Sequence, residues 1–395
     1  MITHGYTETM ATSKSHRLDL TRPNWIEVDL NALDHNYRLL KTLVAPGIRI
    51  HPSVKSAAYG LGVAEIARRF VELGAETIAC GSLTDAEAIR EAGDTNIDLM
   101  VFGGTLPSGI PRFLDLNVMP TVHNSEIAEA VSSLAKTPQR VYVKVDAGWG
   151  RLGFPLKTAE GAIVRIASMP NIVIEGIYTH LPFTDLAGAT WAQERTILFN
   201  ALIDRLKKRG IEAPVTQARS SSGVLLGIKD ECTTVCPGSI LYGKPSLAEG
   251  VIEDLGFEPV LSSIRSRLVH ISPNASDKSS AGFSRFAERV AGATGVIPFG
   301  RKDGNRTPRP GLTSYAILKG IKVPILSISS ELCVLDLSSV PNPRVGDEVL
   351  LLGRAGTEEI TLAELASNQD AGMNDVLLMM RDRMPVIFRQ NPATE

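Results

Sequence analysis

Four cysteines, seven histidines and a formal net charge of −2 in 395 residues leave little material for disulfides, metals or polyanions. The thiols are Cys80, Cys232, Cys236 and Cys333. Three residues separate Cys232 from Cys236, and no second pair or histidine cluster completes a zinc site. Unpaired thiols of a reducing, cytoplasmic compartment are the expected state. The near-balanced charge argues against a general nucleic-acid or membrane-surface role. No apolar run approaches the roughly 18 residues of a membrane span. The polar stretch 1–20 lacks the apolar core of a signal peptide and reads as a flexible lead-in. A Gly-rich dinucleotide loop, an internal repeat and a long low-complexity segment are also missing.

What is present is a regular alternation. Strand-like apolar runs fall at 25–30, 48–55, 77–82, 98–102, 119–122, 141–145, 173–178 and 214–218. Helical spacing of apolar residues separates them, at 31–45, 63–73, 85–92, 125–135 and 190–208. Strand–helix alternation predicts βαβ units and a parallel sheet, and about eight units fit a TIM-type (β/α)8 barrel. After about residue 245 the pattern becomes short strands between Pro-, Gly- and Ser-rich turns, which predicts a mostly antiparallel β domain. The expected organisation is α/β: a lead-in at 1–22, a barrel at 23–250 and a β domain at 251–395.

Barrel chemistry sits at the carboxyl ends of strands. Lys55, Lys144, His180 and the Ser220-Ser221-Ser222 run all fall there. An amine at the end of a buried strand is costly to charge, so its pKa drops. A neutral amine can attack an aldehyde cofactor and form a Schiff base. Arg151 offers planar, bidentate donors to a carboxylate or phenolic oxygen. Gly238-Ser239 and the serine run supply close-approach backbone and small hydroxyls of the kind that grip phosphate.

Four stretches carry a resemblance: Val54-Lys55-Ser56-Ala57-Ala58-Tyr59-Gly60, Val143-Lys144-Val145-Asp146-Ala147-Gly148-Trp149-Gly150-Arg151-Leu152-Gly153, Gly176-Ile177-Tyr178-Thr179-His180, and Val235-Cys236-Pro237-Gly238-Ser239-Ile240-Leu241-Tyr242-Gly243. Together they resemble the alanine racemase family of pyridoxal 5'-phosphate (PLP) enzymes, over 22–389. The resemblance implies PLP as cofactor, a small amino-acid substrate and a homodimer with shared sites. It implies Lys55 as Schiff-base lysine and base, with Arg151 and His180 as further catalytic candidates. The implied cofactor-binding set is Lys55, Tyr59, His180, Ser220, Cys236, Gly238, Ser239 and Tyr242. Lys144, Arg151 and Phe283 form the substrate region; the family often carbamylates the residue matching Lys144, which orients the arginine.

The departures bear on the reaction. Phe283 stands where the family has a tyrosine, the second base supplied by the partner subunit, and phenylalanine cannot exchange a proton. Cys236 replaces an arginine facing the pyridine nitrogen. Met373-Asn374-Asp375 stands where the family commonly has a tyrosine that helps hold phosphate, which an ionised Asp375 close by would repel, and Val334-Leu335 replaces a methionine–aspartate pair at the substrate entrance. The expectation is therefore an amino-acid racemase. The alternatives are a one-base PLP enzyme (an aldolase, a lyase or a stereospecific Cα exchanger) and a non-catalytic PLP-binding protein.

Overall fold

A computed structural model describes residues 21–94, 96–244, 246–273, 292–379 and 384–390. Phe283 and most of the expected lead-in lie outside the described residues. Counted over described residues, the chain forms two compact units. One takes in Val28–Ser262, Ala371–Arg381 and Phe388–Glu395; the other takes in Met1–Glu27, Ser263–Asp370 and Asp382–Ile387.

The first unit is a barrel of eight parallel strands: β1 (Arg49–Ile50), β2 (Thr77–Cys80), β3 (Asp98–Val101), β4 (Met119–Val122), β5 (Gln139–Asp146), β6 (Ile172–Tyr178), β7 (Val215–Gln217) and β8 (Thr234–Val235). β8 pairs with β1, and a parallel bridge from Ser53 to Ala79 joins the β1 end to β2 and closes the ring. Alternation along the strands builds two cores. Val141, Val143 and Val145 of β5 point outward with Ile177 and meet helix residues such as Ile163, Phe199 and Leu202. Tyr142 and Tyr178 point inward, with Ala79, Met100, Met119 and Val215, and Cys236 packs against this inner layer. Lys144 follows Tyr142 by two residues, so the same alternation aims it into the barrel mouth.

Helices on the outside follow ordinary rules. The helix Leu30–Leu43 begins on Asp29, whose carboxylate accepts from the Asn31 and Ala32 N–H groups. Leu186–Lys208 begins on Asp185, bonded to the Gly188 N–H, and buries Ala192, Thr196, Phe199, Leu202, Ile203 and Leu206 along one face. No helix among the described residues is long and apolar enough to cross a membrane.

The second unit holds an antiparallel-rich sheet in the order His270–Ser272, Thr294–Ile297, Cys333–Asp336, Ile321–Ile328, Tyr315–Leu318, Glu348–Ala355, Leu261–Arg267, Trp25–Asp29 and Val386–Arg389. Trp25–Asp29 thus belongs to this sheet, although its apolar run reads as the first barrel strand. The eighth barrel strand is the two-residue β8, too short to leave a periodic signal.

Candidate active site

Lys55 does not end a long strand. β1 stops at Ile50, and Lys55 opens a turn, Lys55–Tyr59, in which Ser56, Ala57, Ala58 and Tyr59 all have φ of 56–57°. Four L-residues in a row are in the left-handed region, at a cost of about 1–2 kcal/mol each. A carboxylate from the next helix start holds the turn: Asp85 accepts from the Ala57 N–H at 2.8 Å and from the Gly81 and Ser82 N–H groups at 3.1 Å. Asp85 is buried at the start of the helix Leu83–Glu91, where it also completes a capping box with Ser82. Gly81 lets the β2 end approach: a Cβ there would stand 2.7 Å from the Lys55 Cβ.

The Lys55 amine is half-buried, and its pKa is lowered, chiefly by burial and then by the Arg151 charge, with Cys236 opposing. Lys144 is buried, its Nζ 4.3 Å from the centre of the Tyr178 ring, and burial aided by Arg151 pulls its pKa to about 8. His180, just past β6, is held neutral: burial, then Lys144, Arg151 and Lys55, push it down to about 3. Cys236 is raised by burial to about 12, against the pull of Lys55 and Lys144, so it stays a neutral thiol and a weak donor. The Tyr178 ring under the Lys144 ammonium belongs to the inner layer on which Cys236 packs, so these two groups share one end of the barrel interior. Arg151 is exposed, its guanidinium carbon 3.6 Å from the centre of the Trp149 ring. The same indole lies 5.0 Å from the His180 ring. The loop that carries both is organised by Asp146, whose carboxylate accepts from the Gly148, Trp149 and Gly150 N–H groups.

A second cluster forms where β8 meets β1. Ser53 donates its N–H to the Pro237 carbonyl at 2.9 Å, and Tyr242 donates its hydroxyl to the Ser53 carbonyl at 3.1 Å. The Tyr59 and Tyr242 ring centres lie 4.6 Å apart with the planes tilted by 51°, and Tyr59 is bonded to the Ser239 backbone. A Cβ on Gly238 would stand 2.5 Å from the Tyr59 hydroxyl oxygen, so only glycine leaves this cradle open. The Gly238 N–H donates to the Ser221 hydroxyl at 3.0 Å. Ser220, expected as the phosphate serine, stands at the start of the Ser221–Leu225 turn with no side-chain cap bond; the Gly238 turn receives its neighbour instead. The Ser53 hydroxyl is buried with no partner among the described residues.

Asp85, Ser53 and Ser221 carry no sequence signal beyond their type, because their partners lie 28, 184 and 17 residues away. Of the expected residues, Lys55, Lys144, Arg151, His180 and Cys236 surround the mouth, and Tyr59, Gly238, Ser239 and Tyr242 form the cradle.

The fold is a parallel barrel with a half-buried amine on the turn after its first strand and an open glycine turn at its last. The family model described as alanine racemase, N-terminal domain, matches residues 28–245, and that for the C-terminal domain matches 261–388. An alanine racemase of Halothermothrix orenii is 29% identical over 93% of this chain and 97% of its own length. One from Methanococcus maripaludis is 28% identical over 93% and 99%. The solved alanine racemase of Clostridium difficile 630 superposes with a TM-score of 0.84 at 22% identity, covering 94% of this chain and 97% of that one. That of Bacillus anthracis, solved with bound L-Ala-P, gives 0.80 at 24%, covering 94% and 96%. The chain belongs to the alanine racemase family, whose members are PLP-dependent isomerases.

Proposed function

We propose that the chain is an amino-acid racemase in which Lys55 carries PLP and handles the substrate Cα proton. The observation that supports this most directly is the Lys55 amine itself, depressed by burial and fixed on a clamped turn beside the cradle. The residues fit the cofactor: an attacking amine, an open glycine turn flanked by Tyr59, and the unpartnered Ser53 hydroxyl where a phosphate oxygen needs a donor. PLP held there would supply an electron sink that acidifies the substrate Cα–H bond. Lys55 Nζ, neutral more readily than an ordinary lysine, accepts that proton on one face. Arg151 binds the substrate carboxylate from the rim, its guanidinium plane set by Trp149. His180 stays uncharged and so adds no cation to the mouth. Cys236, a neutral thiol, would give a cofactor ring nitrogen only a weak donor.

Inversion needs a second proton donor on the opposite face. Phe283, where the resemblance puts that donor, favours a second reading, Cα exchange with retained configuration. Single-enantiomer amino acids, alanine first, incubated in heavy water decide between them. The racemase reading expects deuterium uptake with loss of configuration, both abolished in Lys55→Ala. Uptake with configuration retained across a panel of D- and L-amino acids overturns it.

A further inference from the structure

Lys244 sits just past the Gly238–Tyr242 turn, 8% exposed, with its N–H bonded to the Ser239 carbonyl at 3.1 Å. Its ammonium donates to a neutral acceptor, the Asn374 amide oxygen, and makes no ion pair with a carboxylate among the described residues. The nearby Asp375 carboxylate is taken up by the Gly372 N–H at 3.0 Å. A buried ammonium without a counter-ion is costly. Burial and the Lys55 charge lower its pKa to about 8, with Asp375 opposing, so at neutral pH it still carries its proton. The helix that bears Asn374, Met373–Met379, packs on the Lys55–Tyr59 turn. Lys244 therefore ties three parts of the cradle together: the Ser239 turn, that helix and, through it, the turn holding Tyr59. A second polar group is also unsatisfied there: the Ser53 hydroxyl, 5% exposed, with its backbone bonded to Pro237 beside Gly238. Lys244, whose ammonium is in contact with no carboxylate among the described residues, and Ser53, whose hydroxyl lacks a partner, are bonded through their backbones to the residues on either side of Gly238.

We propose that Lys244 is an anion-binding residue of this cradle and supplies the positive charge that holds the cofactor's phosphate monoester, with Asn374 fixing the direction of its ammonium. The proposal rests on the reading of Lys55 as the cofactor lysine, and deepens it by assigning the phosphate's counter-charge. It also gives the Asn374 position a use in a chain without a tyrosine there.

The test titrates the full chain, freed of cofactor, with PLP and separately with pyridoxal, which lacks the phosphate. The readout is the visible absorbance of lysine-linked cofactor. Lys244→Met is expected to weaken PLP binding roughly ten- to hundredfold, the worth of one charge-assisted hydrogen bond, and to leave pyridoxal binding unchanged. Lys244→Arg, which keeps the charge, should recover most of the loss. An equal loss for both ligands assigns Lys244 a merely structural role and overturns the proposal, as does no loss at all. Calorimetry with inorganic phosphate on the same proteins separates the two readings. If the wild-type chain shows no absorbance band with either aldehyde, the Lys55 reading fails. The anion site then stands if phosphate binds and Lys244→Met abolishes it, and falls if phosphate does not bind.

Discussion

Burial lowers the pKa of Lys144 and Lys244, as it does that of Lys55, and so makes stability depend on pH. For Lys144 the folded chain releases its proton near 8, whereas an unfolded chain holds it up to the ordinary value of 10.5. Between those values the unfolded state binds more protons, so stability rises with pH through that window and the penalty is fullest below about 8. Lys244 acts in the same direction over the same window. The urea midpoint of cofactor-free protein should therefore climb from about pH 8 to about 10.5, and Lys144→Met should flatten the climb. An unchanged slope in that variant would show that folded Lys144 keeps its proton through that window as an unfolded chain does. At this scale the sequence was legible where a side chain is chemically conspicuous. Lys55, Lys144, Arg151 and Tyr59 announce themselves by type and by neighbours. Ser221 and Lys244 do not, because what gives each its meaning is a backbone atom of the Gly238–Ser239 turn or an amide from a distant helix.

The unit that fixes the amine is the left-handed Lys55–Tyr59 turn together with the start of the helix Leu83–Glu91. Asp85→Asn keeps the shape but loses the charge that three N–H groups share. Loss of charge-assisted bonds of this kind costs about 1–3 kcal/mol. The variant should lower the urea midpoint accordingly and reduce the visible band per mole of added PLP. A normal band with normal stability would mean that the turn holds itself. The 48–55 run reads as one strand because its residues are apolar. The hydrogen-bonded strand is shorter, and no periodicity rule reports a left-handed turn built from Ser-Ala-Ala. Leu186–Lys208 shows a smaller version of the same limit. Its apolar spacing is readable from Thr190, but Gly188 and the exposed Leu186 mask its first turn.

Across the whole barrel, closure happens at the seam of β1 and β8, through bonds from the Arg49, His51 and Ser53 N–H groups to Thr233, Val235 and Pro237. The cradle lies at this seam, so an occupied cradle ties the first and last strands together. Hydrogen exchange at the His51 and Ser53 amides should slow on adding PLP, more than at the Leu202 or Leu206 amides of the outer helix. Uniform slowing, or none, would argue against the cradle's lying at the seam. The barrel class is legible from alternation alone, since eight apolar runs separated by helical spacing admit few other architectures. Which runs make up the eight is not. Trp25–Asp29 has the apolar content of a barrel strand and joins another sheet, while Thr234–Val235 closes the ring with two residues. Local pattern reports that a strand exists; its pairing partner is decided by atoms far along the chain.

The residues from Ser56 to Tyr59 wind in the sense that D-amino acids favour and L-amino acids avoid. Handedness, more than contact, thus limits what those positions accept: glycine fits freely, asparagine or aspartate with less strain than most, and a β-branched residue poorly. The amine proposed to move a substrate between its two mirror forms is delivered by a stretch of backbone that has itself taken the path of the opposite hand.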